Sequence, residues 1–318
     1  KWLLWSERRF VCSLRPPAHS KQGFAMGPWR CFEETKGARY TNEVVNSDPT
    51  FAGDPPNPNE DIHVLICGLD YKNTRAPLTC TMDAQNILNL CRACGVMDIV
   101  LMLDNQCTKE NVKQQIEAIG NRCKENDYFV FFFAGHGMEV ADQDGDEDDG
   151  QDEAMVLVDR YGQIPRHAWM TDDEFSECLT QSIPQETQLL LLVDCCHSAT
   201  IGDLSKDIWD DFSCVSICGC KDNQTSGDMG KGGIFTHSLL MAIDNLQKKT
   251  EDDYSVGKAY NVCLQFDNTV FRSAQDITLQ TTSSVTPGGM AWPLIPQYTY
   301  ISPMNMARTG RWALDCAP

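Results

Sequence analysis

TQLLLLVDCCHS (residues 187–198) and YFVFFFAGHG (residues 128–137) decide the reading of this chain. Each opens with an apolar, uncharged run too short to span a membrane. Such a run reads as a strand buried on both faces, as in a parallel sheet covered by helices. Each stops at reactive side chains: Asp194, Cys195, Cys196 and His197 in the first, His136 between Gly135 and Gly137 in the second. In open parallel sheets, ligands bind outside the carboxyl ends of the strands. A Cys and a His at two such ends can meet there, and a thiolate with an imidazole partner is the minimal unit of cysteine nucleophilic catalysis.

The 318-residue chain is 42% hydrophobic, enough for a sizeable core, and carries a formal net charge of −19. That charge argues against nucleic acid and anionic membrane surfaces as partners. It suits a cationic substrate or metal ions, and equally a solvated acidic surface. Among 16 cysteines, Cys67, Cys91 and Cys263 fall inside apolar segments, the pattern of buried reduced thiols in an intracellular, cytoplasmic protein. Cys91 and Cys94 form a CxxC with no second pair, so zinc is not expected there. No apolar run approaches the length of a membrane helix.

Residues 1–60 show mixed charge and no steady periodicity, and read as an irregular N-terminal extension. Trp2, Trp5 and Trp29 are candidates to pack on the main domain, and the Pro-rich linker GDPPNPNED closes the segment. Strands and helices then alternate: DIHVLICGLDY, TMDAQNILNLCRAC, DIVLML, TKENVKQQIEAIGNRCKEN, YFVFFFAGHG. AMVLVD is expected to be a fourth strand, TDDEFSECLTQ a helix capped by Thr171, and FSCVSICGC a strand beyond the Cys motif. Two helices follow, GIFTHSLLMAIDNL and VGKAYNVCLQFDNTV, and ITLQTTSS with MAWPLIP closes the fold. The expected class is α/β, a mostly parallel central β-sheet flanked by helices on both faces.

AGHG followed by DCCHS resembles the His and Cys motifs of the metacaspases, the caspase-like peptidases of plants, fungi and protists. CGCKDNQTSGDMGKGGIFTHSLL, residues 218–240, resembles the small-subunit signature of that family. The resemblance covers roughly residues 61–296, and the order of a large part before a small part resembles type I members. It implies a caspase-like fold, with residues 61–208 a large-subunit-like catalytic region and 209–318 a small-subunit-like region of the same domain.

The resemblance also implies roles. Cys196 falls on the nucleophile position of Asp-x-Cys-His-Ser and Cys195 on the variable one, while His136 is the general base and later the acid. Backbone amides of Gly137 and Cys196 would hold the oxyanion. Asp83 and Asp194, with Cys80 and Ala134 beside them, match positions lining a specificity pocket, where two carboxylates favour Arg or Lys. Ala134 stands where the family often has Ser, and Ala199 where it usually has Gly. The acidic run ADQDGDEDDGQDEA does not fit the EF-hand register. By resemblance, Asp152, Asp172, Asp173 and Asp203 are calcium ligands, and residues 142–149 are a solvated face. Four like charges repel when empty, so the loops carrying them are expected to sit apart.

Together these features point to a calcium-dependent cysteine endopeptidase, acting as a monomer on protein or peptide substrates after Arg or Lys. A catalytically silent scaffold, an acid-specific caspase, a paracaspase-like Arg-specific peptidase without calcium dependence and a calcium-binding regulatory module are the alternatives. The intact Cys and His count against the scaffold. The paired acids and the missing QAC-type motif count against the acid-specific caspase.

Overall fold

The computed structural model describes residues 37–51, 56–141, 151–196, 201–220, 230–249 and 254–297. Trp2, Trp5, Trp29, the acidic run 142–149, His197 and Ala199 lie outside the described residues.

In chain order the strands are β1 Ala38–Thr41, β2 Ile62–Gly68, β3 Asp98–Leu103, β4 Tyr128–Ala134, β5 Gly137–Ala141, β6 Gln151–Met155, β7 Met170–Thr171, β8 Gln188–Asp194, β9 Ser213–Cys218 and β10 Thr278–Thr281. The helices are α1 Cys80–Ala93, α2 Lys109–Gly120, α3 Asp172–Ser182, α4 Ile234–Lys248 and α5 Val256–Phe266. Seven strands form one sheet in the order β1-β10-β9-β8-β4-β2-β3. The five consecutive strands β9-β8-β4-β2-β3 are parallel, and β10 and β1 extend the sheet through antiparallel pairings. Because β8 pairs directly with β9, the strands on either side of residue 208 share one sheet.

The uncharged runs are central because both their faces are covered. Successive side chains on a strand point to opposite faces. On β4, Val130 and Phe132 therefore pack with residues of α1, α4 and α5. Phe129, Phe131 and Phe133 pack with Val112 and Ile116 of α2 and Phe175 of α3. The helix starts are set by side chains: Thr108 accepts from Asn111 N–H at 3.2 Å. Thr171 accepts from Glu174 N–H while the Glu174 carboxylate accepts from Thr171 N–H, a reciprocal capping box. At the amino ends of the strands, His63 bridges Asp98 and Asp127 at 2.6 and 3.0 Å, and Arg122 grips Asp98 with two nitrogens. Burial alone would raise the Asp98 carboxyl, but Arg122 and His63 hold it below its ordinary value.

Two expectations are corrected. Residues 38–41 are not irregular: they form β1 on β10, with Tyr40 opposite Leu279. A four-residue strand, ARYT, carries too little period to be read alone, and its partner lies far along the chain. AMVLVD is not a strand of the central sheet. Only Ala154 and Met155 of it belong to β6, which pairs antiparallel with β5 and β7 in a separate three-stranded sheet. A strand returning beside its predecessor needs only a loop, whereas a parallel neighbour needs a crossover. No disulfide forms among the described residues, and none of their helices is long and apolar enough to cross a membrane.

Asp267, just beyond α5, is fully buried, and burial pushes its carboxyl up to about 6, with Ser273 opposing and Asp276 reinforcing. A raised carboxyl binds its proton more tightly in the folded state, so stability falls as pH rises from about 4 to about 6 and stays reduced above. Asp267→Asn is expected to melt about 2–4 °C above the parent at pH 7.5 and level with it at pH 4, by calorimetry at both pH values.

Candidate active site

β4 and β8 are neighbours in exact register, with Ala134 opposite Asp194 and Gly135 N–H donating to the Asp194 carbonyl at 3.3 Å. His136 and Cys196 each stand two residues beyond that pair, so the two strands deliver them to one level of the sheet edge. Contact there is direct: a Cβ on Gly137 would lie 1.8 Å from the Cys196 carbonyl oxygen and 3.0 Å from Cys195 Sγ. Only glycine lets these chains approach so closely.

His136 is half-buried and its ring is fixed. Nε2 lies 2.7 Å from the Ala76 carbonyl, which can only accept, so Nε2 carries the proton. In the neutral ring Nδ1 then holds the lone pair. The Tyr71 ring lies 4.5 Å from the imidazole, tilted by 40°. The two adjacent thiols differ sharply. Cys196 is half-buried, whereas Cys195 is buried in the core, and that burial pushes its thiol well above the ordinary value.

The structure brings Asp83 and Asp194 to one short segment, the start of α4. Asp83 is fully buried one turn into α1, whose first residue is the buried Cys80. Its Oδ2 accepts from Gly233 N–H at 2.9 Å. Asp194 Oδ2 accepts from Thr236 N–H at 3.0 Å and from Thr236 Oγ1 at 2.6 Å. Gly233 sits at the cap of α4 with no side chain to offer, and the Asp194 carboxylate meets the amides of that helix end instead. Gly232 takes a positive φ of 104°, where a Cβ would lie 2.2 Å from Asp83 Oδ1. Backbone amides of the α4 start orient both carboxylates. Ala134, buried between them and Gly68 on the neighbouring strand, supplies only a methyl.

A second cluster lies on the small sheet. Asp152 of β6 and Asp172 and Asp173 at the head of α3 offer oxygens that all lie within 4.8 Å of one another. The expectation that empty carboxylates sit apart fails here for a reason the sequence did not reveal. Lys206 places its ammonium against Asp173 Oδ1 and 3.4 Å from Asp203 Oδ2, joining the fourth acid to the group and offsetting the repulsion. Asp203 sits on a turn at a positive φ of 32°, its Oδ1 accepting from Ser205 Oγ. Asp172 is 1% exposed and its Oδ2 has no hydrogen-bond partner. Burial pushes its carboxyl up to about 7 against the pull of the Asp173 amide and Lys206. An orphaned buried oxygen among further carboxylates fits a hard cation with oxygen ligands.

Comparison with known proteins agrees with this geometry. Residues 63–205 match the family described as metacaspase, peptidase C14 domain. Metacaspase-1 of Arabidopsis thaliana is 27% identical over 236 residues, covering 62% of this chain and 63% of that protein. Metacaspase-1 of Candida glabrata is 35% identical over 150 residues, covering 44% and 37%. The chain thus spans less than two thirds of the length of these relatives. Among solved structures, a Geobacter sulfurreducens protein superposes with a TM-score of 0.56 at 20% identity, over 75% of this chain and all of that one. Caspase-1 from Spodoptera frugiperda does so with a TM-score of 0.50 at 12% identity, over 80% and 98%. These likenesses establish a caspase-like fold.

The exposure difference between the two thiols has a direct test. Brief treatment of the folded protein with iodoacetamide at neutral pH is expected to label Cys196 and spare Cys195, read by fragment-ion sequencing of the 188–206 peptide. Label appearing first on Cys195 would contradict the burial argument.

Proposed function

Since residues 63–205 match the metacaspase peptidase domain, we propose that the protein is a cysteine endopeptidase that cleaves after Arg or Lys and is switched on by calcium. The observation that carries the catalytic part is the β4–β8 register, which sets His136 and Cys196 side by side beyond Ala134 and Asp194.

His136 Nδ1 takes the Cys196 thiol proton, because Nε2–H is already committed to Ala76. The thiolate attacks the scissile carbonyl carbon, and the carbonyl oxygen becomes an oxyanion facing the amides of Gly137 and Cys196. The protonated Nδ1 gives its proton to the leaving amine as the carbon–nitrogen bond breaks. A thioester remains on Cys196. Water, losing a proton to Nδ1, attacks that thioester, and the thiol leaves with the proton returned. Cys195 takes no part.

Asp83 and Asp194 supply the selection for a cationic side chain. Both are buried, both are oriented by the start of α4, and paired carboxylates favour a guanidinium or ammonium group. With Ala134 in place of a hydroxyl, the pocket offers charge and shape without a third polar contact there.

Asp152, Asp172, Asp173 and Asp203 would hold the calcium. The ion contributes positive charge that gathers β6, the head of α3 and the turn at Asp203, and it takes no part in bond breaking. Lys206 holds part of that place in its absence, so ion and ammonium compete for Asp173 and Asp203.

Fluorogenic peptides ending in Arg, Lys or Asp test the reading. Arg and Lys peptides are expected to be cut and Asp peptides left intact. Cys196→Ala abolishes turnover, whereas Cys195→Ala keeps much of it. Asp83→Asn keeps an acceptor for Gly233 but removes the charge, and kcat/KM for Arg peptides drops by about two decades or more. Normal turnover by Cys196→Ala, or efficient cutting after Asp, would overturn the assignment.

Calcium is expected to be needed at high micromolar to millimolar levels, roughly the range of weak extracellular-type sites, and magnesium does not replace it. Titration calorimetry reads the site without substrate. Asp172→Ala with Asp173→Ala loses binding, and Lys206→Met, which removes the competitor, binds calcium roughly three- to tenfold more tightly. Full activity in excess chelator would rule out the calcium switch.

A further inference from the structure

His136 is held at three points by one short segment, residues 71–76, and two of the three belong to Tyr71. β5 and β6 pair antiparallel from Ala141 and Gln151 up to Gly137 and Met155. The next pair along that ladder is His136 with Val156. In a hydrogen-bonded antiparallel pair the two residues exchange both N–H···O=C bonds. Here one of the two is made, with Val156 N–H donating to the His136 carbonyl at 2.9 Å. The other is opened. His136 N–H donates instead to Tyr71 Oη at 3.0 Å, and the Tyr71 hydroxyl donates onward to the Val156 carbonyl at 2.7 Å. A side-chain hydroxyl thus completes a backbone ladder at the residue that carries the imidazole. The same side chain lays its ring against that imidazole at 4.5 Å. The third point is Ala76, whose carbonyl takes the Nε2 proton.

The local backbone fits a built feature. Tyr71 has a positive φ of 51°, costly for a bulky residue and persisting only where surroundings demand it. Gly135 clears the way, since a Cβ there would lie 2.6 Å from Tyr71 Oη. The Tyr71 side chain is buried, and burial pushes its hydroxyl well above the ordinary value, so it remains a neutral donor across the working pH range.

We propose that Tyr71 is the positioning residue for His136: its hydroxyl fixes the backbone of the base and its ring fixes the plane of the imidazole, keeping Nε2 on Ala76 and Nδ1 turned to the nucleophile. The proposal rests on the reading of His136 as the base. Tyr71 itself touches no reacting atom and transfers no proton to substrate.

Tyr71→Phe keeps the stacked ring and removes the hydroxyl, and Tyr71→Leu removes both. For Tyr71→Phe, kcat on Arg peptides is expected to fall about tenfold or more while KM and the melting temperature hold, the pattern of a lost transition-state alignment. Tyr71→Leu falls further. The independent readout is nitrogen-15 NMR of His136. The parent shows one fixed Nε2–H tautomer, and Tyr71→Phe shows exchange between the two ring tautomers. The imidazole signal needs no substrate, so it decides the role of Tyr71 even where the peptide assay fails the catalytic reading. A Tyr71→Phe protein with parental kcat, or with an unchanged His136 tautomer, overturns the proposal. So does a loss of activity that disappears once rates are normalised to the folded fraction, because Tyr71 would then serve stability alone.

Discussion

Two uncharged strands lie side by side at the centre of the sheet, and their hydrogen-bonded register leaves no freedom in where they end. β4 and β8 are matched residue for residue from Tyr128 and Gln188 to Ala134 and Asp194. A slip of one residue would turn every side chain on one of them to the opposite face and break both cores at once. The cost of that slip is what secures the alignment of His136 with Cys196. Precision at the edge of the sheet is thus borrowed from hydrophobic packing well below it, where Phe129 to Phe133 are sealed from water on both sides.

The start of α4 depends on the same alignment from the other side. Gly232 and Gly233 bring their backbone where any side chain would collide with Asp83 or Asp194. The two carboxylates meet amides from a segment some 150 residues later than Asp83 and 42 later than Asp194. The segment at the start of α4 therefore holds both candidate carboxylates, and the glycines of KGG are the condition for that closeness.

Much of this was legible in the sequence. The five parallel strands, five helices and the Thr171 cap follow from period, length and a Thr before a helical run. His136 and Cys196 could be singled out as candidates because each ends an uncharged run, and the acids because they sit in recognisable motifs. What escaped the sequence shares one property: it depends on partners far away. β1 is four residues, ARYT, whose strand partner β10 lies more than 200 positions on. Tyr71 looked like the tail of a strand, and nothing local marks a hydroxyl that completes a ladder between His136 and Val156. Nothing local marks Lys206 either; its pairing with Asp173 depends on where α3 lies. AMVLVD had the composition of a central strand, and only the path of the chain after His136 shows that it belongs to another sheet.

β1 also changes what kind of surface the sheet presents. A parallel core always ends in edges, and an unpaired strand edge is a template on which another chain can grow. With residues 38–41 laid along β10, that side is closed by a strand only four residues long, carrying Arg39 exposed and lined by Asn42 just beyond. Such an edge is a poor template, being short, polar and charged. A proteolytic nick that removed these residues would hand the edge to β10, whose four residues are otherwise buried, and would bare the Leu279 row to solvent. Residues 38–41 thus cover the β10 edge, and trimming them would expose it.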